Sequence, residues 1–156
     1  SSAALNGRVV NYNGGGSLVT SPAFDFATVF NGVISESATY AAMATNSTIA
    51  IPSTPSPTVL TVGSGVTNGT PAVFSVDGQT LFHNNNVQTL DLNLNGKTPS
   101  AIIINVTGTT IAYDWSGGMI GTLAGTTWRS KILWNFPTAT SITCSGLTYM
   151  LSTTPR

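Results

Sequence analysis

The run Ala101-Ile-Ile-Ile-Asn-Val-Thr-Gly-Thr-Thr110 decides the fold class of this chain. Ala101 through Val106 is an apolar stretch of strand length, rich in Ile. Such a run suits a strand buried on both faces. Upstream, Val87-Gln-Thr-Leu-Asp-Leu-Asn-Leu94 alternates strictly and reads as a strand, closed by the turn signal Asn95-Gly96. Further upstream, Thr58-Val-Leu-Thr-Val62, Ala72-Val-Phe-Ser-Val76 (stopped by Asp77-Gly78) and Gln79-Thr-Leu-Phe-His83 read as three more strands. Downstream, 109–115, 131–135 and 140–149 complete the set. Asn84-Asn-Asn86 reads as a solvated turn. The chain is therefore mainly β. Strands that are short, evenly spaced and rich in Thr, Val and Ile are compatible with a sandwich, a barrel or a β-solenoid. No exact internal repeat decides among these.

Residues 1–22 suggest a short strand around 8–11 and another after Gly14-Gly-Gly16. One long helix is expected at about 22–45. Phe24, Ala27, Phe30, Ile34, Ala38, Ala41 and Ala42 recur at three- and four-residue steps, a stripe expected to lie on a sheet. Ser21 and Pro22 supply an N-cap and first-turn pair, and Asp25 suits the helix dipole. Residues 46–58, with three prolines, read as a loop.

Composition narrows the function classes. The chain has 156 residues, one domain's worth, and 41% are hydrophobic, enough for a core. Charged residues make up 6%, against about 25% ordinarily. Five basic residues balance five acidic ones. Nucleic acid is excluded as a partner, because binding it needs clustered Lys and Arg. No apolar run approaches the roughly 20 residues of a membrane span, so no membrane insertion is expected. A neutral surface of hydroxyls and amides favours self-association. The chain starts at Ser1 with no leader, as a processed secreted form would. Cys144, the single cysteine, is expected to face the core. Three glycosylation sequons occur at Asn46, Asn68 and Asn105, the first two in expected loops and the third in a strand.

Candidate chemistry is sparse. His83 is the one histidine, and Ser75 and Asp77 are near it in sequence, but no nucleophile-elbow motif accompanies them. Asp25, Glu36, Asp77, Asp91 and Asp114 are scattered, which suits neither a glycosidase pair nor a calcium loop. No catalytic residue, cofactor or metal site is expected. Trp115, Trp128 and Trp134 concentrate late in the chain. Trp134 reads as core, and Trp128 as a possible exposed contact. Thr107, Thr109 and Thr110 come nearest to the flat threonine array that an ice-binding face needs.

The 101–110 run, followed by Ile132-Leu-Trp-Asn-Phe-Pro-Thr-Ala-Thr140 and Ser141-Ile-Thr-Cys-Ser-Gly-Leu147, strongly resembles the end of the choice-of-anchor A domain. Leu5–Val10 with Gly14–Gly16, Phe24–Phe30 running on to Ser35, and Val73–Asp77 are similar, in order, to earlier segments of that family. The resemblance covers nearly the whole chain, 1–156, as a single domain. It implies a β-solenoid (β-helix-like) domain with one long helix packed along it, display outside the cell, and adhesion, with collagen as a proposed target of some members. It carries over no ligand residues. The family's usual first strands and last motif are not matched here. An unpaired strand edge is a template for another chain, so Arg8, Val10, Trp128 and Tyr149 become candidate interface residues. The expected function is a secreted, non-enzymatic adhesive or structural module. It would form homo-oligomers or filaments and meet an extracellular matrix protein or glycan. The alternative is a ligand-binding module for glycan, collagen or ice.

Overall fold

The computed structural model describes residues 10–13, 17–20, 26–114 and 117–144. In chain order the elements are β1 (Val10–Asn13), β2 (Ser17–Thr20), α1 (Phe26–Ala42), β3 (Thr48–Ala50), β4 (Ser56–Thr61) and β5 (Ala72–Asp77). Then come α2 (Gly78–Phe82), β6 (Val87–Asn93), β7 (Ile102–Thr107), β8 (Thr110–Tyr113) and β9 (Gly118–Met119). Last are α3 (Gly121–Ala124), α4 (Thr126–Arg129), β10 (Ile132–Asn135) and β11 (Ser141–Cys144). The protein is mostly β with four described helices, where one long helix was expected.

The chain divides into two compact units, Ser1–Glu36 and Ser37–Arg156. In the first, β1 and β2 form an antiparallel pair, Val10 opposite Thr20 and Asn13 opposite Ser17. The helix-start signals at Ser21, Pro22 and Asp25 lie outside the described residues.

The second unit is built from parallel ladders with a common step. In the sheet β10-β7-β5, Ala72 pairs with Ile102 and Ile102 with Ile132, a step of 30 residues. In the sheet β3-β4-β6-β9, the parallel pairs Leu60–Leu92 and Leu90–Met119 step by 32 and 29. In the pair β8–β11, Ile111 lies beside Ile142, a step of 31. Side-chain bonds keep the same interval: Asn68 with Thr98, Gln79 with Thr110, Asp91 with Thr122, and Asn135 with Asn105. The ladders are therefore three successive passes of the chain, laid one on another.

Alternation within each strand sends one set of side chains inward. Leu60, Phe74, Leu90, Leu92, Ile102, Ile104, Val106 and Ile111 are buried in one core with Leu81, Phe82 and Leu123. β7, the middle strand of its sheet, is buried along its length as far as Val106, which its apolar sequence anticipates. Val73 and Ile103 are buried on the opposite face, which also carries Asn105 and Asn135.

That second face explains how residues 37–43 dock. Asn105 Nδ2 donates to the Tyr40 carbonyl at 2.9 Å, and Asn135 Nδ2 donates to the Ser37 carbonyl at 2.9 Å. Ser37 Oγ donates to Asn135 Oδ1 at 2.6 Å. Ser37, Tyr40 and Met43 are the half-buried positions of this segment, while Ala38, Ala41 and Ala42 are exposed. This corrects the expected stripe within the second unit; in the first unit Phe30 and Ile34 are exposed, at 63% and 65%. The sheet offers amides here, and amides select helix carbonyls, which apolar periodicity does not register.

Two further expectations fail for identifiable reasons. Residues 79–83 were read as a strand, but 78–82 form α2. Asp77 Oδ1 accepts from Thr80 N and Thr80 Oγ1, both at 2.8 Å, and so caps a helix turn. Cys144, expected to face the core, is exposed, as is the whole of β11. The Asn95-Gly96 turn holds, with φ of 51° and 71°, the left-handed region where Asn and Gly are tolerated.

The two ends of the ladder stack differ. Beside β4, β3 runs antiparallel and covers its edge. Beside β5, Asn46 does the same work with one residue. Its Oδ1 accepts from Val73 N at 2.8 Å, its backbone N–H donates to Val73 O, and its Nδ2 donates to Pro71 O. At the other end, β9, β10 and β11 each pair on one side only among the described residues.

Candidate functional site

A concavity lies where α2 ends and β6 begins. Phe82 anchors that corner. It is buried and stacks near Tyr113, Trp134 and Phe136, with centroids 4.6, 5.6 and 6.4 Å away. The helix stops at His83, and Asn84 Oδ1 accepts from Asn86 N at 3.0 Å to shape the turn. One pass later, β8 delivers Asp114 beside it. His83 Nδ1 and Asp114 Oδ2 lie 2.6 Å apart, both groups facing solvent in part. A depression of about 380 Å³ opens there, lined by Phe82, Asn84, Asn85, Val87, Gln88, Asp114 and Gly117.

The electrostatics are mild. The Tyr113 hydroxyl is held above its ordinary range, first by burial and second by the Cys144 thiol beside it. No group of three or more His, Cys, Asp and Glu gathers to hold a metal among the described residues. The depression therefore offers hydrogen bonds and shape. His83 does not sit with Ser75 and Asp77; it pairs with Asp114, which the sequence reading missed. The signal was the 31-residue interval between them, the same step as the ladders.

The sequons divide by geometry. Asn105 is buried, and both ends of its amide are bonded, to Tyr40 and Asn135. Asn46 uses its Nδ2, the atom a glycan would occupy, on Pro71. Asn68 is exposed and uses only Oδ1, which accepts from Thr98 N. Of the interface candidates, Trp128 is half-buried against the core with the Lys131 ammonium 5.3 Å from its ring centroid. Val10 pairs with Thr20 in β1. Arg8 and Tyr149 lie outside the described residues. Trp134 is partly buried against the core.

Residues 1–151 match the family model described as "Putative Ice-binding-like adhesive domain". The chain belongs to this family. No curated protein and no solved structure matches it. An ice-binding-like adhesive domain acts at a cell surface or outside the cell. No helix among the described residues is long and apolar enough to cross a membrane. The resemblance to choice-of-anchor A domains had pointed to the same adhesive class.

Proposed function

We propose that the three passes are rungs of a β-solenoid and that the domain is a secreted, non-enzymatic adhesive module that pairs with itself through its open end. One observation supports this reading above others. At matching ladder positions, Val73 and Ile103 are 3% and 2% exposed, but Leu133 in the last rung is 36% exposed. Likewise Ile111 is fully buried and Ile142 is 44% exposed. Among the described residues the last rung thus carries apolar side chains together with strand edges that have no partner, which favours another β edge as partner. The opposite end is covered by β3 and Asn46, so head-to-tail growth into a filament is disfavoured. The expected product is a closed pair of molecules related by a twofold axis. Light scattering with electron microscopy across a concentration series tests this. Discrete, concentration-dependent dimers are expected, and a monomer at the highest concentrations would sink the proposal.

The second reading is a ligand-binding surface for a glycan, for a matrix protein such as collagen, or for ice. The family description favours ice. The choice-of-anchor A likeness favours a matrix protein. Shaping of growing ice crystals by the purified domain, against retention on immobilised collagen, separates the two.

A further inference from the structure

The depression at the end of α2 has a chemistry that selects one class of ligand. The geometry points to a binding subsite for a neutral saccharide, a pyranoside with adjacent free hydroxyls. The inference deepens the ligand-binding reading and rests on it.

The side chains at the rim are amides and one carboxylate: Asn84, Asn85, Gln88 and Asp114, over Phe82 and Val87. Asn85 and Gln88 are exposed, and neither side-chain amide is committed to a hydrogen bond among the described residues. Each amide brings one acceptor and a two-hydrogen donor. Adjacent sugar hydroxyls each donate once and accept once or twice, so they match this set. Asp114 adds an acceptor oriented by His83, which holds Oδ2 at 2.6 Å while Oδ1 has no bond among the described residues. No Lys or Arg lines the depression among the described residues. A phosphate, sulfate or acidic sugar would therefore meet the Asp114 carboxylate, with only the His83 imidazole beside it to offset the charge. A volume of about 380 Å³ falls in the range of roughly 300–1,000 Å³ typical of small-molecule sites.

The position is also pre-organised. Three contributions come from one pass (the α2 end, the Asn84 turn and the start of β6), and Asp114 comes from the next. The pairing of the His83 end of α2 with Asp114 sets the distance between the amides and the carboxylate.

The test is a side-chain amide and imidazole titration by NMR, with millimolar methyl glycosides of glucose, galactose, mannose and N-acetylglucosamine, and glucuronic acid as the acidic control. At least one neutral glycoside is expected to give saturable shifts confined to Asn85, Gln88 and His83. Asn85→Ala with Gln88→Ala should weaken that binding about tenfold or more, with an unchanged fold by amide spectrum. Saturable shifts elsewhere would overturn the subsite and leave the ligand-binding reading standing. No binding of any glycoside would overturn the subsite and the glycan branch of that reading together. Glucuronic acid binding as well as its neutral counterpart would overturn the charge argument and the subsite with it.

Discussion

Asn105 and Asn135 tie two neighbouring strands to the carbonyls of Tyr40 and Ser37. Neighbours in a ladder, they bond each other at 2.8 Å while each reaches out to a helix carbonyl. Both are buried, at 5% and 6% exposure. Replacing Asn135 with Ala would strand Asn105 Oδ1 without a donor and Ser37 Oγ without its acceptor. The expected loss is about 2–4 kcal/mol, read from urea unfolding. A loss under about 0.5 kcal/mol would mean water replaces the amide at no cost. Tyr113 gives the pH dependence. Its hydroxyl titrates above the ordinary value of about 10 because it is buried. The unfolded chain therefore releases this proton first as pH rises. Stability should fall from about pH 10 upward until the folded group also titrates. Tyr113→Phe should flatten that decline in urea midpoints measured between neutral and strongly alkaline pH. A variant declining as steeply as the parent would remove Tyr113 from the account. At this scale the sequence was half legible. The apolar run around Ile102–Ile104 announced itself, whereas the burial of Asn105 did not, because an amide reads as surface until its partners are known.

Elements were legible where their signals are local. The alternation of β6, the apolar run of β7 and the Asn95-Gly96 turn all appear where expected. α2 was missed because one cap, Asp77, outweighs the strand propensity of Thr80, Leu81 and Phe82 over so short a span. The repeat was also overlooked, since it lies in pattern and not identity. Ala72-Val-Phe-Ser, Ile102-Ile-Ile-Asn and Ile132-Leu-Trp-Asn are three apolar residues followed by a small polar one, in register. The edge cover makes a prediction at this scale. A Cβ on Gly63 would lie 1.9 Å from the Asn46 carbonyl oxygen, and Gly63 N also donates to Ser47 Oγ. Gly63→Ala must displace the 46–47 segment, which disturbs its bonds to the Val73 backbone. A loss of about 1–3 kcal/mol is expected, with time-dependent scattering from edge pairing. Gly65→Ala, with nothing near its Cβ, is the control and should change stability by less than about 0.5 kcal/mol. Equal behaviour of the two variants would refute the edge-cover argument.

For the molecule as a whole, the contrast between a covered end and an open one was beyond the reach of the sequence. It depends on which strands lie last in a stack. The candidate depression was illegible for the same reason, since His83 and Asp114 belong to different passes. Charge tests the open end directly. Leu133→Lys with Ile142→Lys places like charges on two side chains that already face solvent, so the fold should survive. Association should fall about tenfold or more in sedimentation, if the last rung is the surface that pairs. Undiminished association would move the interface elsewhere.

The helix contact has one more consequence. Tyr40 meets β7 and Ser37 meets β10, so three helical residues span one strand spacing. Three residues of α-helix advance about 4.5 Å and neighbouring strands lie about 4.7–4.9 Å apart, two graduations that nearly coincide. The helix works as a vernier against the sheet. It reads correctly over a few divisions and drifts by only a few tenths of an ångström at each. Inserting a single residue between Ser37 and Tyr40 would rotate one mark about 100° from the other, and the scale could then be read at one asparagine but not at both.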